Sequence, residues 1–201
     1  MRDQDANGNR RQRYEDDYLG TTDRELTKRT SHQAELDSQR ERMAEASGIW
    51  DREILEDLQE LGYMPDTVTL LRLTPVIEVA WADGQVTNSE RAMILGMAAI
   101  RNVEWESPAY HQLLEWIARR PSREFFQKSR SAIRSAWRAL PSGERTSRQR
   151  DLISSCRNVA WASRGVLDVG PEMCDEERHL IDELALELQP DDDAPITGVV
   201  A

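Results

Sequence analysis

Apolar side chains recur at three- and four-residue spacing along most of the chain, from Ile49 to Leu188. This spacing gathers them on one face of an α-helix, whereas no segment alternates with the period of two that is typical of a half-buried strand. The pattern therefore predicts an all-α domain of about seven helices over residues 47–189.

Capping signals indicate where several of these helices begin and end. Gly62 follows the first apolar stripe and predicts its C-terminal stop. Pro75 allows two interpretations, a kink within a helix or the first residue of a new helix capped by Thr74. Thr87 and Glu90 have the spacing of a capping box, which predicts a helix that begins beside them.

The two ends of the chain lack such a stripe. Residues 1–46 carry scattered apolar side chains among dense charge, which predicts a disordered or partly helical polar arm. Residues 190–201 are acidic and then apolar, and they are too short to add a packed element, so we expect a flexible acidic tail. No stretch has the roughly 18 consecutive apolar residues of a transmembrane helix, and no apolar leader is present, so we expect a cytoplasmic protein.

A tetrapeptide is repeated within the domain. Val-Ala-Trp-Ala occupies residues 79–82 and recurs at residues 159–162, and each copy is followed by a glycine, a valine and a Glu-Arg pair. The glutamates of these pairs are Glu90 and Glu177, which lie 11 and 18 positions after the first valine of their copies. The repeat predicts two similar helix-loop-helix halves with connections of unequal length.

Charge is distributed unevenly along a chain whose net charge is −11. Residues 121–164 contain 10 basic and 3 acidic residues, whereas residues 165–201 contain 1 basic and 11 acidic residues. The two blocks either neutralise each other across a helix-helix contact or leave a basic surface for an anionic partner. Nucleic acid is disfavoured as that partner because the overall charge repels polyanions at long range. The candidate partner-binding residues share one predicted helix: Arg123, Arg130, Arg134 and Arg138.

The first loop of the repeat carries candidate cation ligands. From Asp83-Gly84 to Glu90 it has the spacing of the second half of an EF-hand loop, whose oxygen ligands suit calcium or magnesium. A standard EF-hand is excluded, since Val79 and Trp81 stand where its first two ligands belong. The alternative is structural, with the Glu90 carboxylate accepting the backbone amide of Thr87 as a helix cap.

The second loop differs from the first. Ser163-Arg164-Gly165 replaces the Asp-Gly pair, and we expect Arg164 to act as a counter-charge to the carboxylates of the two loops. Asp168 lies in this longer loop, before Glu177. If the two halves face each other, we expect Glu78, Asp83 and Glu90 to meet the acidic residues of the second half in one acidic pocket. Those residues are Asp168, Glu172, Asp175, Glu176 and Glu177. Carboxylates so close together repel unless a cation is present.

The segment from Leu73 to Met97, with its core V-A-W-A-D-G-Q-V-T-N-S-E-R-A-M-I-L, resembles the TerB-like family of bacterial tellurite-resistance proteins. With the second repeat included, the resemblance covers roughly residues 48–189. It implies an all-helical fold of two similar halves and metal chelation through acidic loop residues. By position it implicates Asp83 and Glu90, with Glu177 as the second-half equivalent of Glu90. Asp168 is a weaker candidate, since the second loop departs from the family pattern.

The resemblance implies a non-enzymatic accessory or scaffold protein in a bacterial stress system, with protein partners that include membrane-associated ones. The alternative is a structural adaptor without metal that docks an anionic protein or membrane partner through its basic helix face. No G-x-S-x-G motif occurs, and we expect Cys156 and Cys174 to be reduced, inert thiols. We expect most of the six tryptophans to be in the core, with Trp105 the most exposed.

Overall fold

The computed structural model describes residues 28–162 and 173–189. Residues 28–47 form helix α1, and seven further α-helices and one 3-10 helix follow within the described residues. The elements after α1 are α2 (Arg52–Glu60), the 3-10 helix (Val68–Leu73), α3 (Thr74–Ala80), α4 (Asn88–Ile100), α5 (Pro108–Ala118), α6 (Arg123–Arg138), α7 (Ser142–Ala162) and α8 (Asp175–Glu187). The described residues contain no strand, which confirms the all-α prediction.

Helix α1 extends through the last part of the predicted arm. A compact unit of the chain begins at Met43, and Met43 and Ala44 are buried in its core. Residues 1–27 and the predicted tail at 190–201 lie outside the described residues.

Helix α3 lies at the centre of the compact unit. All seven of its residues are buried, and it packs against α6, α7 and α8. The 3-10 helix runs directly into it, and Pro75 stands in its first turn, where a missing backbone N–H is tolerated. Of the two interpretations of Pro75, the start of a new helix is therefore correct. Thr74 does not cap that helix, because its hydroxyl donates to the carbonyl of Leu71.

The end of α2 follows the sequence prediction. Gly62 adopts a positive φ of 86°, a conformation that costs a glycine little. Its N–H donates to the carbonyl of Gln59, and the N–H of Tyr63 donates to the carbonyl of Leu58. These two bonds form a Schellman motif, which closes the helix and turns Tyr63 into the core.

Tyr63 anchors an aromatic cluster between α5 and α6. Its ring stacks on Phe125 with centroids 5.6 Å apart and meets Trp116 edge to face at 5.4 Å. Its hydroxyl lies 3.0 Å from the Ser129 hydroxyl, so the one polar atom of this buried ring has a partner.

The two copies of the repeated tetrapeptide end corresponding helices. Copy one ends α3, and α4 follows it; copy two ends α7, and α8 is the next helix described. Helices α3 and α7 pack against each other. Trp81 of copy one donates from Nε1 to the carbonyl of Trp116 at 2.9 Å, whereas Trp161 of copy two is 61% exposed.

Tryptophan burial differs from the expectation at two positions. Trp105 is 75% exposed, as expected, but Trp50 and Trp161 are also exposed, so placing them in the core was wrong. None of the described helices combines the length and apolar character needed to cross a membrane.

Candidate functional site

Glu90 closes a capping box at the start of α4. Its Oε2 accepts the Thr87 backbone N–H at 2.7 Å and the Thr87 hydroxyl at 2.8 Å. In return, the Thr87 hydroxyl oxygen accepts the Glu90 backbone N–H at 3.3 Å. Glu90 is only 1% exposed, and burial raises the pKa of its carboxyl. The cap predicted from the sequence is confirmed.

Glu177 repeats this arrangement at the start of α8, with a cysteine in place of the threonine. Its Oε2 accepts the Cys174 backbone N–H at 3.0 Å, and Cys174 Sγ accepts the Glu177 N–H at 3.4 Å. Glu177 is also buried, and burial is the main cause of its raised pKa. The equivalence of Glu90 and Glu177 that the repeat predicts therefore extends to their hydrogen bonds.

Asp83 lies close enough to both capping glutamates to affect their ionisation. After burial, repulsion from Glu177 and Asp83 further raises the pKa of Glu90, and Asp83 likewise raises that of Glu177. Asp83 itself is exposed, and its Oδ1 accepts the backbone N–H of Gln85 at 3.0 Å. The fold thus brings three of the four predicted metal ligands near one another, while Asp168 lies outside the described residues.

The bonding of these carboxylates does not favour a cation. One oxygen of Glu90, of Glu177 and of Asp83 already accepts local N–H donors. Within residues 28–162 and 173–189, no group of three His, Cys, Asp or Glu side chains is placed to hold a metal ion. A site completed by Asp168 stays a prediction.

Glu78 joins a different cluster from the one expected. Arg130 of α6 donates from Nη1 to Glu78 Oε1 of α3 at 2.9 Å. The side chains of Arg130 and Glu78 are 8% and 11% exposed, so the pair is almost excluded from water. Arg130 was predicted to bind a partner, but the structure uses it for this internal contact because α3 places a carboxylate opposite it.

Two glutamates of α8 complete the cluster around Arg130. Its Nε lies 2.9 Å from Glu187 Oε2, an ion-pair contact without hydrogen-bond geometry, and its Nη2 lies 3.6 Å from Glu183 Oε1. Burial raises the pKa of Glu78 to about 7; Arg130 opposes that shift, and Glu183 and Glu187 add to it. The expected neutralisation between the basic and acidic blocks is therefore present at this contact between α6 and α8.

The other predicted basic residues of α6 are more exposed to solvent than Arg130. Arg123 and Arg138 are exposed, and Arg134 is half-buried. The separations of 11 and 4 residues place these three on the side of the helix that also carries Arg130, and we call the three together the α6 basic face. Lys128 does not belong to it, because its Nζ lies 2.8 Å from Asp57 Oδ1 of α2.

Sequence reasoning missed a second group of arginines. Arg72, Arg101 and Arg148 line the same cavities in the compact unit, although they come from three different elements. Of the three, only Arg148 belongs to the basic block of residues 121–164, since residues so far apart in sequence give no local signal.

No family model, curated protein or solved structure matches this chain. The resemblance to the TerB-like family therefore rests on the residues of this chain alone.

Proposed function

We propose that this chain is a non-enzymatic helical adaptor of TerB-like type that docks an acidic segment of a partner protein through the α6 basic face. The observation that carries the proposal is the division of arginines along α6. Arg130 is buried in the internal cluster, whereas Arg123 and Arg138, on the same side of the helix, are exposed. A stress-response role is supported by the TerB-like resemblance alone.

The non-enzymatic part of the proposal rests on the titratable groups. Three glutamates have a raised pKa, the feature by which general acids and bases are often recognised. Each of them has a structural partner, with Glu78 bound to Arg130, Glu90 to Thr87 and Glu177 to Cys174. Their shifted pKa values are therefore explained by burial within the fold, without a catalytic task.

The docking part rests on charge. Residues 165–201 carry 11 acidic residues against one basic residue, and they contribute two carboxylates to the Arg130 cluster. Arg123 lines the same cavity as Glu78 and Arg130 and, like Arg138, it is exposed. An acidic peptide would bring opposite charge to these solvent-facing arginines. Exposed charges steer association and confer salt dependence more than they add affinity, so we expect modest, salt-sensitive binding.

A fluorescent poly-glutamate peptide tests the proposal by anisotropy at low and high ionic strength. We expect saturable binding that weakens with salt and is lost in Arg123→Gln/Arg134→Gln/Arg138→Gln. The control variant Arg91→Gln/Arg150→Gln/Arg157→Gln removes the same charge at exposed positions outside the face and should keep the binding. Equal losses in both variants, or binding to phosphatidylglycerol vesicles without binding to the peptide, would overturn the proposal.

Cation binding is the second candidate function, and the proximity of Asp83, Glu90 and Glu177 is the observation in its favour. A bound cation stabilises the folded state by an amount that grows with the logarithm of its concentration above Kd, so thermal unfolding in millimolar calcium or magnesium measures it. Because one oxygen of each of these carboxylates already accepts a backbone N–H, we expect no stabilisation. A rise in Tm that disappears in Asp83→Asn/Glu177→Gln would instead establish the cation site.

A further inference from the structure

Two adjacent cavities open beside the C-terminal half of α6. They have volumes of about 360 Å³ and about 170 Å³, and they share five lining residues. The larger lies within the range of about 300–1,000 Å³ that is typical of small-molecule sites. The end of α1, the segment after it, the 3-10 helix and α6 contribute to its walls. Its apolar side chains include Ile49, Val68, Leu71, Ile133, Trp137 and Leu140.

Three arginines line both cavities. Arg72 belongs to the 3-10 helix, Arg101 is the C-cap of α4, and Arg148 lies in the second turn of α7. Asp151 is the one acidic residue that lines either of the two cavities in the described part of the chain. The lining therefore carries an excess of positive charge in a chain whose net charge is strongly negative.

The arginines are close enough to repel one another. Arg72 and Arg101 are exposed, and the pKa of Arg72 is lowered, first by partial burial and then by the charges of Arg148 and Arg101. Arg148 pairs with Glu144 of its own helix at 2.7 Å, and Arg101 donates to the Met97 carbonyl at 3.0 Å. Among the described residues, Arg72 and Arg101 have no ion-pair partner. Like charges held together over an apolar surface cost free energy that a bound anion would recover.

We propose that these cavities bind a monomeric amphipathic anion, with its acidic group at Arg72, Arg101 and Arg148 and its apolar chain against Ile133, Trp137 and Leu140. An apolar ligand without charge would leave the arginines repelling one another. A small inorganic anion would leave the apolar walls uncovered. The site lies outside the α6 basic face, so this inference goes beyond the proposed docking function and does not depend on it.

Calorimetry with three probes of equal chain length tests the chemistry: laurate, dodecanol and dodecyltrimethylammonium, each below the concentration at which it aggregates. We expect laurate to bind one-to-one and the other two to bind at least about tenfold more weakly, since only laurate brings a negative charge to the arginines. Equal affinity for dodecanol, or no binding of laurate, would overturn the proposal. Acetate alone should bind too weakly to measure, and acetate binding as tight as that of laurate would overturn the role of the apolar walls.

Two variants locate the site. Arg72→Gln/Arg101→Gln should weaken laurate binding about tenfold or more, because two charge-assisted contacts are lost. Arg150→Gln/Arg157→Gln removes the same charge elsewhere on α7 and should change the affinity less than about twofold. Ala136→Phe, which fills the larger cavity without changing charge, should also abolish binding.

Unfolding curves for each variant separate loss of the site from loss of the fold. Laurate affinity that is unchanged in both folded cavity variants would overturn the assignment. So would binding to phosphatidylglycerol vesicles without binding to monomeric laurate, since the lipid headgroup at a membrane surface would then be the ligand. The α6 basic face variant should bind laurate normally, which keeps this result distinct from failure of the docking proposal.

Discussion

Arg130 and Glu78 form a buried ion pair that joins α6 to α3, with Nη1 and Oε1 2.9 Å apart. The second oxygen of Glu78, Oε2, is buried and makes no hydrogen bond within the described residues. The pair therefore holds a carboxylate inside the core with only part of its hydrogen-bonding capacity satisfied. Such a group depends strongly on its one partner.

Removing the cation alone should destabilise the protein severely. In Arg130→Met, Glu78 loses its counter-charge while Glu183 and Glu187 remain nearby, and losing one partner of a buried pair costs about 3–5 kcal/mol. We expect a loss of that size in the free energy of unfolding measured by urea denaturation. Arg134→Met, on the same helix but half-buried, should change it by less than about 1 kcal/mol. Similar losses in the two variants would contradict the internal role of Arg130.

The same pair should make stability depend on pH. The pKa of Glu78 is about 7 in the folded protein against an ordinary value of 4.5, so the folded state holds this proton more tightly than the unfolded state. The contribution of Glu78 to stability is therefore greatest below pH 4.5, and it declines as pH rises through 7.

The variant Glu78→Gln isolates this effect, since its amide cannot titrate. We expect the Tm of the wild type minus that of Glu78→Gln to become smaller as the pH is raised from 4.5 to 7.5. Differential scanning calorimetry across that range measures it. A constant difference would mean that Glu78 ionises at its ordinary pKa in the folded protein.

The two capping boxes should respond differently to substitution at their first residue. Thr87→Ala removes the hydroxyl that accepts the Glu90 N–H, and it should cost about 0.5–2 kcal/mol of stability. Cys174→Ser replaces a weak sulfur acceptor with an oxygen, so it should leave stability unchanged or raise it. Ser89→Ala, at an exposed position in the first turn of α4, is the control for loss of a hydroxyl. Destabilisation by Cys174→Ser would show that the sulfur is needed for packing.

Both cysteines should react slowly with Ellman's reagent at pH 8. Burial raises the pKa of Cys156 to about 12 and is also the main cause of the rise to about 11 at Cys174, so little reactive thiolate is present. We expect both thiols to react promptly in denaturant, and Cys174→Ser assigns the native rate of Cys156. A fast native reaction of Cys156 would mean that the core around it opens readily.

Local features of the structure could be predicted because their causes are local. The glycine that ends α2 and the glutamates that begin α4 and α8 act within a few residues of the chain. Apolar periodicity likewise gave the helical class and located most of the core. These signals need no knowledge of which helices are neighbours.

The roles of the arginines could not be predicted in this way. Arg130 and Arg134 stand one helical turn apart and look alike in sequence, but the partner that distinguishes them is Glu78, 52 positions away. The cavity arginines come together only when the 3-10 helix, α4 and α7 are packed. Trp81 and Trp161 occupy matching repeat positions, yet only Trp81 meets a carbonyl of α5.

The paired capping boxes also explain how a duplicated unit can tolerate connections of different length. A four-residue segment with its own hydrogen bonds defines each helix start. The segment is Thr87 to Glu90 in one half and Cys174 to Glu177 in the other. The seven additional positions of the second copy precede its capping segment. Because these hydrogen bonds are local, the start of α8 does not depend on the length of the segment before it, so we expect a change in that length to leave the register of α8 unchanged.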